Sequence, residues 1–270
     1  MKKLFTILFL FTAFISSAQR TMFASKNNYV APVGPPVLVT AGLVLNLDAG
    51  NTSSYSGTGT TWTDLSGRGN HGTLVNSVTY SSSNQGSLVF DANGTDNGSK
   101  NPYVQLPMST DFDFGTEDFT VEMWVYTSSG SPHPNLMTIN ANTNGNSYVA
   151  IRMEYWNGNL GILHSYDGNS HASVSGSSSF PFTLNVWSHI VMSRISGAAS
   201  VYVNGVLKAS YSLPGSLLAQ QNTRIGGFYP YNGYYSHAGN IAVTRFYKGR
   251  GLTSSEALTH FDLTKSRFGL

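Results

Sequence analysis

The chain has 270 residues, with 15 Lys or Arg against 13 Asp or Glu, and no cysteine. Charged residues make up only 10% of it, against roughly 25% in an average soluble domain. No Lys/Arg run follows residue 3, which argues against a nucleic-acid partner, and the missing cysteines exclude thiolate zinc sites and cysteine nucleophiles.

The chain opens with Met1-Lys2-Lys3, an apolar stretch from Leu4 to Ile15, and the small-residue exit Ser16-Ser17-Ala18-Gln19. These are the three parts of a secretory signal peptide, here residues 1–18. The apolar stretch is shorter than the roughly 20 residues that span a bilayer. A secreted or extracellular protein is therefore expected, with no membrane span in the mature chain. Cleavage after Ala18 removes Lys2 and Lys3 and leaves 13 charges of each sign. A neutral surface of Ser, Thr, Asn, Gly and Tyr suits neutral partners, sugars above all.

Residues 19–41 contain Pro32, Pro35 and Pro36 without periodicity and read as a flexible linker. From residue 42 to 270 one domain of short strands is expected. Asn-Gly begins at residues 93, 97, 144, 157, 204 and 232, and Asp-Gly at residue 167; these dipeptides accept the positive φ of tight hairpin turns. Phe119 to Tyr126 alternates, with Phe119, Val121, Met123 and Val125 on one face and Thr120, Glu122, Trp124 and Tyr126 on the other. Large apolar groups on both faces predict a mid-sheet strand with one face in the core and the other partly covered. Tyr148 to Glu154, Leu160 to Ser165 and His171 to Ser175 predict a meander turning at Asn157-Gly158 and Asp167-Gly168. Ser200 to Ser210, turning at Asn204-Gly205, predicts a hairpin. One helix is expected, Ser254 to Phe261, opened by the capping-box spacing Thr253-Ser254-Ser255-Glu256. Many short strands with almost no helix indicate an all-β, two-sheet antiparallel sandwich.

Five aromatics crowd the turn-rich segment Gly226 to His237. A tyrosine offers a flat apolar face to a sugar ring and a hydroxyl to its rim, so Tyr229, Tyr231 and Tyr234 are candidate ligand contacts. Asn232 and His237 are candidate directional hydrogen-bonding partners. Trp156, beside Asn157-Gly158, is a sixth candidate at a hairpin tip. Trp62, Trp124 and Trp187 read as structural, and His189 as a packed strand histidine. No Gly-x-Ser-x-Gly elbow with strand-turn-helix context is present.

Several segments occur in a telling order. Gly42-Leu43-Val44-Leu45-Asn46-Leu47-Asp48 leads into Trp62-Thr63-Asp64-Leu65-Ser66-Gly67-Arg68-Gly69-Asn70-His71-Gly72. Ser87-Leu88-Val89-Phe90-Asp91, Phe119 to Val125, and Trp187-Ser188-His189-Ile190-Val191-Met192 follow. Val201-Tyr202-Val203-Asn204-Gly205 and Gly239-Asn240-Ile241-Ala242-Val243-Thr244-Arg245-Phe246-Tyr247 close the series. This set resembles the laminin-G-like domains of the concanavalin A-like lectin/glucanase superfamily, over nearly all of residues 42–268. The resemblance implies a jelly roll that binds sugars or proteins, serves in adhesion, or in the glucanase branch cuts polysaccharides. It also implies a structural calcium ion held by an early carboxylate, backbone carbonyls and a late aspartate. Ala242 stands at the late position, while Asp48 and Asp91 remain possible oxygen donors.

The glucanases of this superfamily carry carboxylates at alternating positions of one strand. Here Asp118 and Glu122 share a face but sit roughly 13 Å apart along it, with Thr120 between them, so the pattern is absent. The expectation is a secreted, non-catalytic, lectin-like module that recognises carbohydrate through exposed loop aromatics. An adhesion or particle-surface module with an extracellular protein partner is the alternative, and a polysaccharide hydrolase the second.

Overall fold

A computed structural model describes residues 36–91, 101–128, 134–141, 149–166, 172–173, 179–219, 222–227 and 236–270. The expected signal peptide, the Asp167-Gly168 turn, and Tyr229, Tyr231, Asn232 and Tyr234 lie outside these residues. Residues 37–270 form one compact unit.

Among the described residues the chain forms seventeen strands and one α-helix. In chain order the strands are β1 (Leu43–Asp48), β2 (Thr61–Trp62), β3 (Gly72–Val75), β4 (Thr79–Ser81), β5 (Ser87–Asp91) and β6 (Tyr103–Leu106). Then come β7 (Phe119–Thr127), β8 (Asn135–Ala141), β9 (Val149–Trp156), β10 (Asn159–His164), β11 (Ala172–Ser173) and β12 (Phe180–Pro181). The last are β13 (Trp187–Ile195), β14 (Ala198–Val203), β15 (Val206–Ser212), β16 (Asn222–Ile225) and β17 (Ala238–Lys248), followed by helix α1 (Ser254–Thr264).

Two antiparallel sheets result. The first runs β15-β14-β13-β7-β17-β5-β4, with β1 also on β17. The second runs β11-β10-β9-β8-β16-β6-β3-β2, with β12 on β10. The predicted turns supply their hairpins: Asn157 and Gly158 sit at φ 47° and 84°, Asn204 and Gly205 at 51° and 75°, the signs that a two-residue turn requires. The order β9-β10-β11 is the predicted meander.

The core lies between the sheets. Phe119, Val121, Met123 and Val125 of β7 join Ile190 and Met192 of β13 and meet Met137 and Ile139 of β8 and Ile151 and Met153 of β9. Each such side chain contributes about 1.5–3 kcal/mol by leaving water. The β7 alternation thus sorts as the sequence predicts, and its second face is covered as well. A register shift between Ile241 and Val243 turns both Ala242 and Val243 outward, where they join Trp124 and Phe268 in a separate apolar cluster. Trp124 stacks on Phe268 with ring centroids 4.0 Å apart and donates its Nε1–H to Thr264 Oγ1 at 2.9 Å. Helix α1 carries the predicted capping box between Thr253 and Glu256, and extends one turn past Phe261. Trp62 is also buried, and the half-buried Trp187 donates its Nε1–H to Asn84 Oδ1.

Candidate functional site

The outer face of the first sheet is covered by α1 and the turn at Lys265–Phe268, and the second sheet carries a row of buried polar side chains on its outer face. Because Ile151 and Met153 point inward, Arg152, Glu154 and Trp156 of β9 share its outer face. Strand register extends that face sideways. Arg152 pairs with Thr138 of β8, Thr138 with Arg224 of β16, Arg224 with Gln105 of β6, and Gln105 with Thr73 of β3. Five neighbouring strands place this polar row over roughly 19 Å.

Its side chains hold one another. Arg152 Nη2 meets Glu154 Oε1 at 3.0 Å, and Arg224 donates from Nε to Gln105 Oε1 at 3.1 Å with its guanidinium 3.9 Å over the Tyr103 ring. Glu154 is the register partner of Asn135, whose Oδ1 accepts from Thr138 Oγ1 at 3.2 Å. Glu154 and Asn135 are nevertheless 3% and 0% exposed, and Glu154 Oε2 and Asn135 Nδ2 make no hydrogen bond. A buried polar atom left unpaired costs about 1–3 kcal/mol, so an acceptor and a donor unmatched side by side are poor stabilisers. On the other side Glu154 pairs with Gly161, where a side chain would meet only the Glu154 carbonyl oxygen at 3.9 Å.

Trp156 ends this strand beside the tight turn and is 55% exposed, as the sequence predicts for a hairpin tip. His237, expected among the ligand contacts, is fully buried at the start of β17, edge-on to Phe90. Burial pushes its imidazole down to about 4, although backbone groups of Asn240 and Tyr126 oppose that shift.

Glu122 is a structural hub. It is fully buried beneath α1, with Oε1 2.9 Å from both His189 Nε2 and Arg245 Nη1, and Oε2 3.1 Å from His260 Nδ1. Burial alone would raise its pKa; the Arg245 charge and the two histidine contacts hold it well below the usual range. His260 Nε2 accepts from the Val39 N–H at 2.9 Å, so its Nδ1 carries the proton toward Glu122. Burial pulls the His189 pKa down. Asp118 instead accepts from the Ser196 N–H at 2.7 Å. Among the described residues no group of three or more His, Asp or Glu is arranged to hold a metal ion.

The polar row escaped the sequence reading. The period-two spacing of Arg152, Glu154 and Trp156 was legible, but nothing local says which face of which sheet they occupy.

No curated protein sequence matches this chain. Among solved structures, the binding domain of botulinum neurotoxin DC in complex with SialylT superposes with TM-score 0.61 at 12% identity, over 83% of this chain and 52% of that one. The same domain in complex with rat synaptotagmin II gives 0.63 at 12%, over 84% and 52%. The chain thus spans about half the length of these toxin domains. Domain 4 of AbnA, an extracellular arabinanase of Geobacillus stearothermophilus, in complex with arabinotriose, gives 0.58 at 18%, over 81% and 97%. At such identities the likeness is one of fold. The laminin-G-like family model of the concanavalin A-like lectin/glucanase superfamily matches residues 96–257. With that match across more than half its length, the chain belongs to the concanavalin A-like lectin/glucanase superfamily.

Proposed function

We propose that this protein is an exported, non-catalytic module that binds carbohydrate through exposed aromatic side chains at the β9–β10 end of its second sheet. The observation that carries the reading is Trp156, 55% exposed where β9 turns into β10, on the same outer face as Arg152 and Glu154. Its ring offers a flat apolar surface on which a sugar can stack. Tyr229, Tyr231 and Tyr234, which follow β16 in sequence, belong to the same reading as further stacking groups. Glu154 is the one carboxylate among the described strand residues of this face, whereas a retaining glycosidase needs two about 5 Å apart. The arabinotriose and SialylT complexes of the structural neighbours support a sugar ligand.

The deciding experiment is a glycan and polysaccharide array followed by calorimetry on the best ligand. Wild type should bind, and Trp156→Ala should weaken binding while the fold, read by circular dichroism, is kept. Silence across the array, or unchanged binding by Trp156→Ala, would remove the proposal.

A protein partner is the second reading, favoured by one surface. Val206 and Leu207 at the β14–β15 turn and Leu258 on α1 are all about half exposed, and a Cβ on Gly205 would come 2.6 Å from the Leu258 side chain, so hairpin and helix present one apolar patch. Such patches mark interaction sites. A protein cross-linked through a label at residue 207, and not displaced by sugars, would favour this reading.

A further inference from the structure

The structural calcium ion that the family resemblance implies can be tested against the residues at its place. The early carboxylate is Asp48, at the end of β1. Beside it stands Ala242, whose carbonyl accepts from the Ala49 N–H and whose methyl group offers no oxygen. Asp91 ends β5 exposed to solvent. Around Asp48 a set of oxygens does converge, and what they hold is Arg267. Its Nη1 donates to Asp48 Oδ1 at 2.7 Å, its Nε to the Asn84 carbonyl at 2.8 Å and its Nη2 to the Gly86 carbonyl at 2.7 Å.

The local backbone is shaped for this. Asn84, Gln85 and Gly86 sit in succession at φ 55°, 61° and 120°, an arrangement strained for the first two residues and tolerated because it brings the Asn84 and Gly86 carbonyls onto one guanidinium. Asn84 Nδ2 returns a hydrogen bond to the Arg267 carbonyl at 3.2 Å. A side chain at Gly50 would collide with Arg267 Nη2, so the bare glycine leaves the guanidinium its room. Calcium takes six to eight oxygens; here the carboxylate and both carbonyls are bound to a cation belonging to the chain.

We propose that Arg267 is a resident cation standing in the place of a metal ion, and that it makes the fold independent of divalent ions. The planar fork suits the task because three donors reach three oxygens in fixed directions. It fastens the C-terminal turn to β1 and to the β4–β5 connection, elements 181 to 219 residues away in sequence. Unlike a metal, it cannot dissociate in chelating surroundings.

The test uses the full chain, unfolded thermally in calcium chloride and in EDTA, with calorimetric titration of calcium alone. The wild-type midpoint should be the same in both buffers, with no binding heat. Arg267→Ala should lower the midpoint by about 5–10 °C, and Arg267→Lys, which keeps the charge but lacks the fork, should recover only part of it. Should Arg267→Ala fail to fold, Asp48→Asn replaces it with the same expected fall. A wild-type midpoint that drops in EDTA would overturn the proposal, as would an Arg267→Ala or Asp48→Asn midpoint equal to wild type.

Discussion

Glu122, in the middle of the first sheet, reaches His260 on the C-terminal helix at 3.1 Å although 138 residues separate them. The contact ties the helix to the sheet, and Arg245 and His189 complete the partners of this buried carboxylate. Substituting Glu122→Gln leaves Arg245 buried without its counter-charge, and removing one member of a buried pair costs about 3–5 kcal/mol. Urea denaturation should show that loss, while ligand affinity measured on the folded fraction stays at the wild-type value. Loss of sugar binding with unchanged stability would contradict the structural assignment.

Acid should destabilise the protein through its buried imidazoles. His237 is held down to about 4, first by burial, and His189 is lowered by the same cause, whereas an unfolded histidine titrates near 6.5. Below about 6.5 the unfolded chain takes up protons that the folded interior refuses. Stability from these groups is therefore full above that pH and falls as pH drops toward 4, by up to about 1.4 kcal/mol per pH unit for each. Denaturation midpoints at pH 7.5 and pH 5 should differ accordingly, and His237→Leu should flatten the slope. Equal midpoints at the two pH values would refute it.

Trp156→Ala separates binding from folding. An exposed side chain at a turn changes stability by less than about 0.5 kcal/mol, while loss of a stacked ring weakens sugar binding about tenfold, or roughly 1.4 kcal/mol. The expected outcome is an unchanged melting midpoint with a weaker dissociation constant by calorimetry.

Phe268 covers Trp124 at 4.0 Å and Trp187 at 4.7 Å between ring centroids. Phe268→Ala opens a cavity over both, with an expected cost of about 3 kcal/mol. A double-mutant cycle with Trp124→Leu should show coupling, since neighbours in one cluster do not add.

Sequence by itself determined whatever rests on nearest neighbours. Alternation in Phe119–Tyr126 sorted one face into the core because side chains on a strand point to opposite sides by geometry. Asn157-Gly158 and Asn204-Gly205 marked their turns because few residues accept positive φ, and Thr253 with Glu256 announced the helix start through reciprocal hydrogen bonds three residues apart. The ordered motifs from Gly42 to Tyr247 carried the family. Only the tertiary structure decided which groups meet on each outward face. Glu122 and Glu154 are both carboxylates on alternating strands, yet one is sealed beneath α1 and the other lies in the row shared with Thr138 and Arg224. His237 came from an aromatic, turn-rich segment and lies inside. Arg267 and Asp48 lie at opposite ends of the domain sequence and meet in one ion pair. Such outcomes depend on contacts between residues far apart along the chain, and no local pattern encodes those.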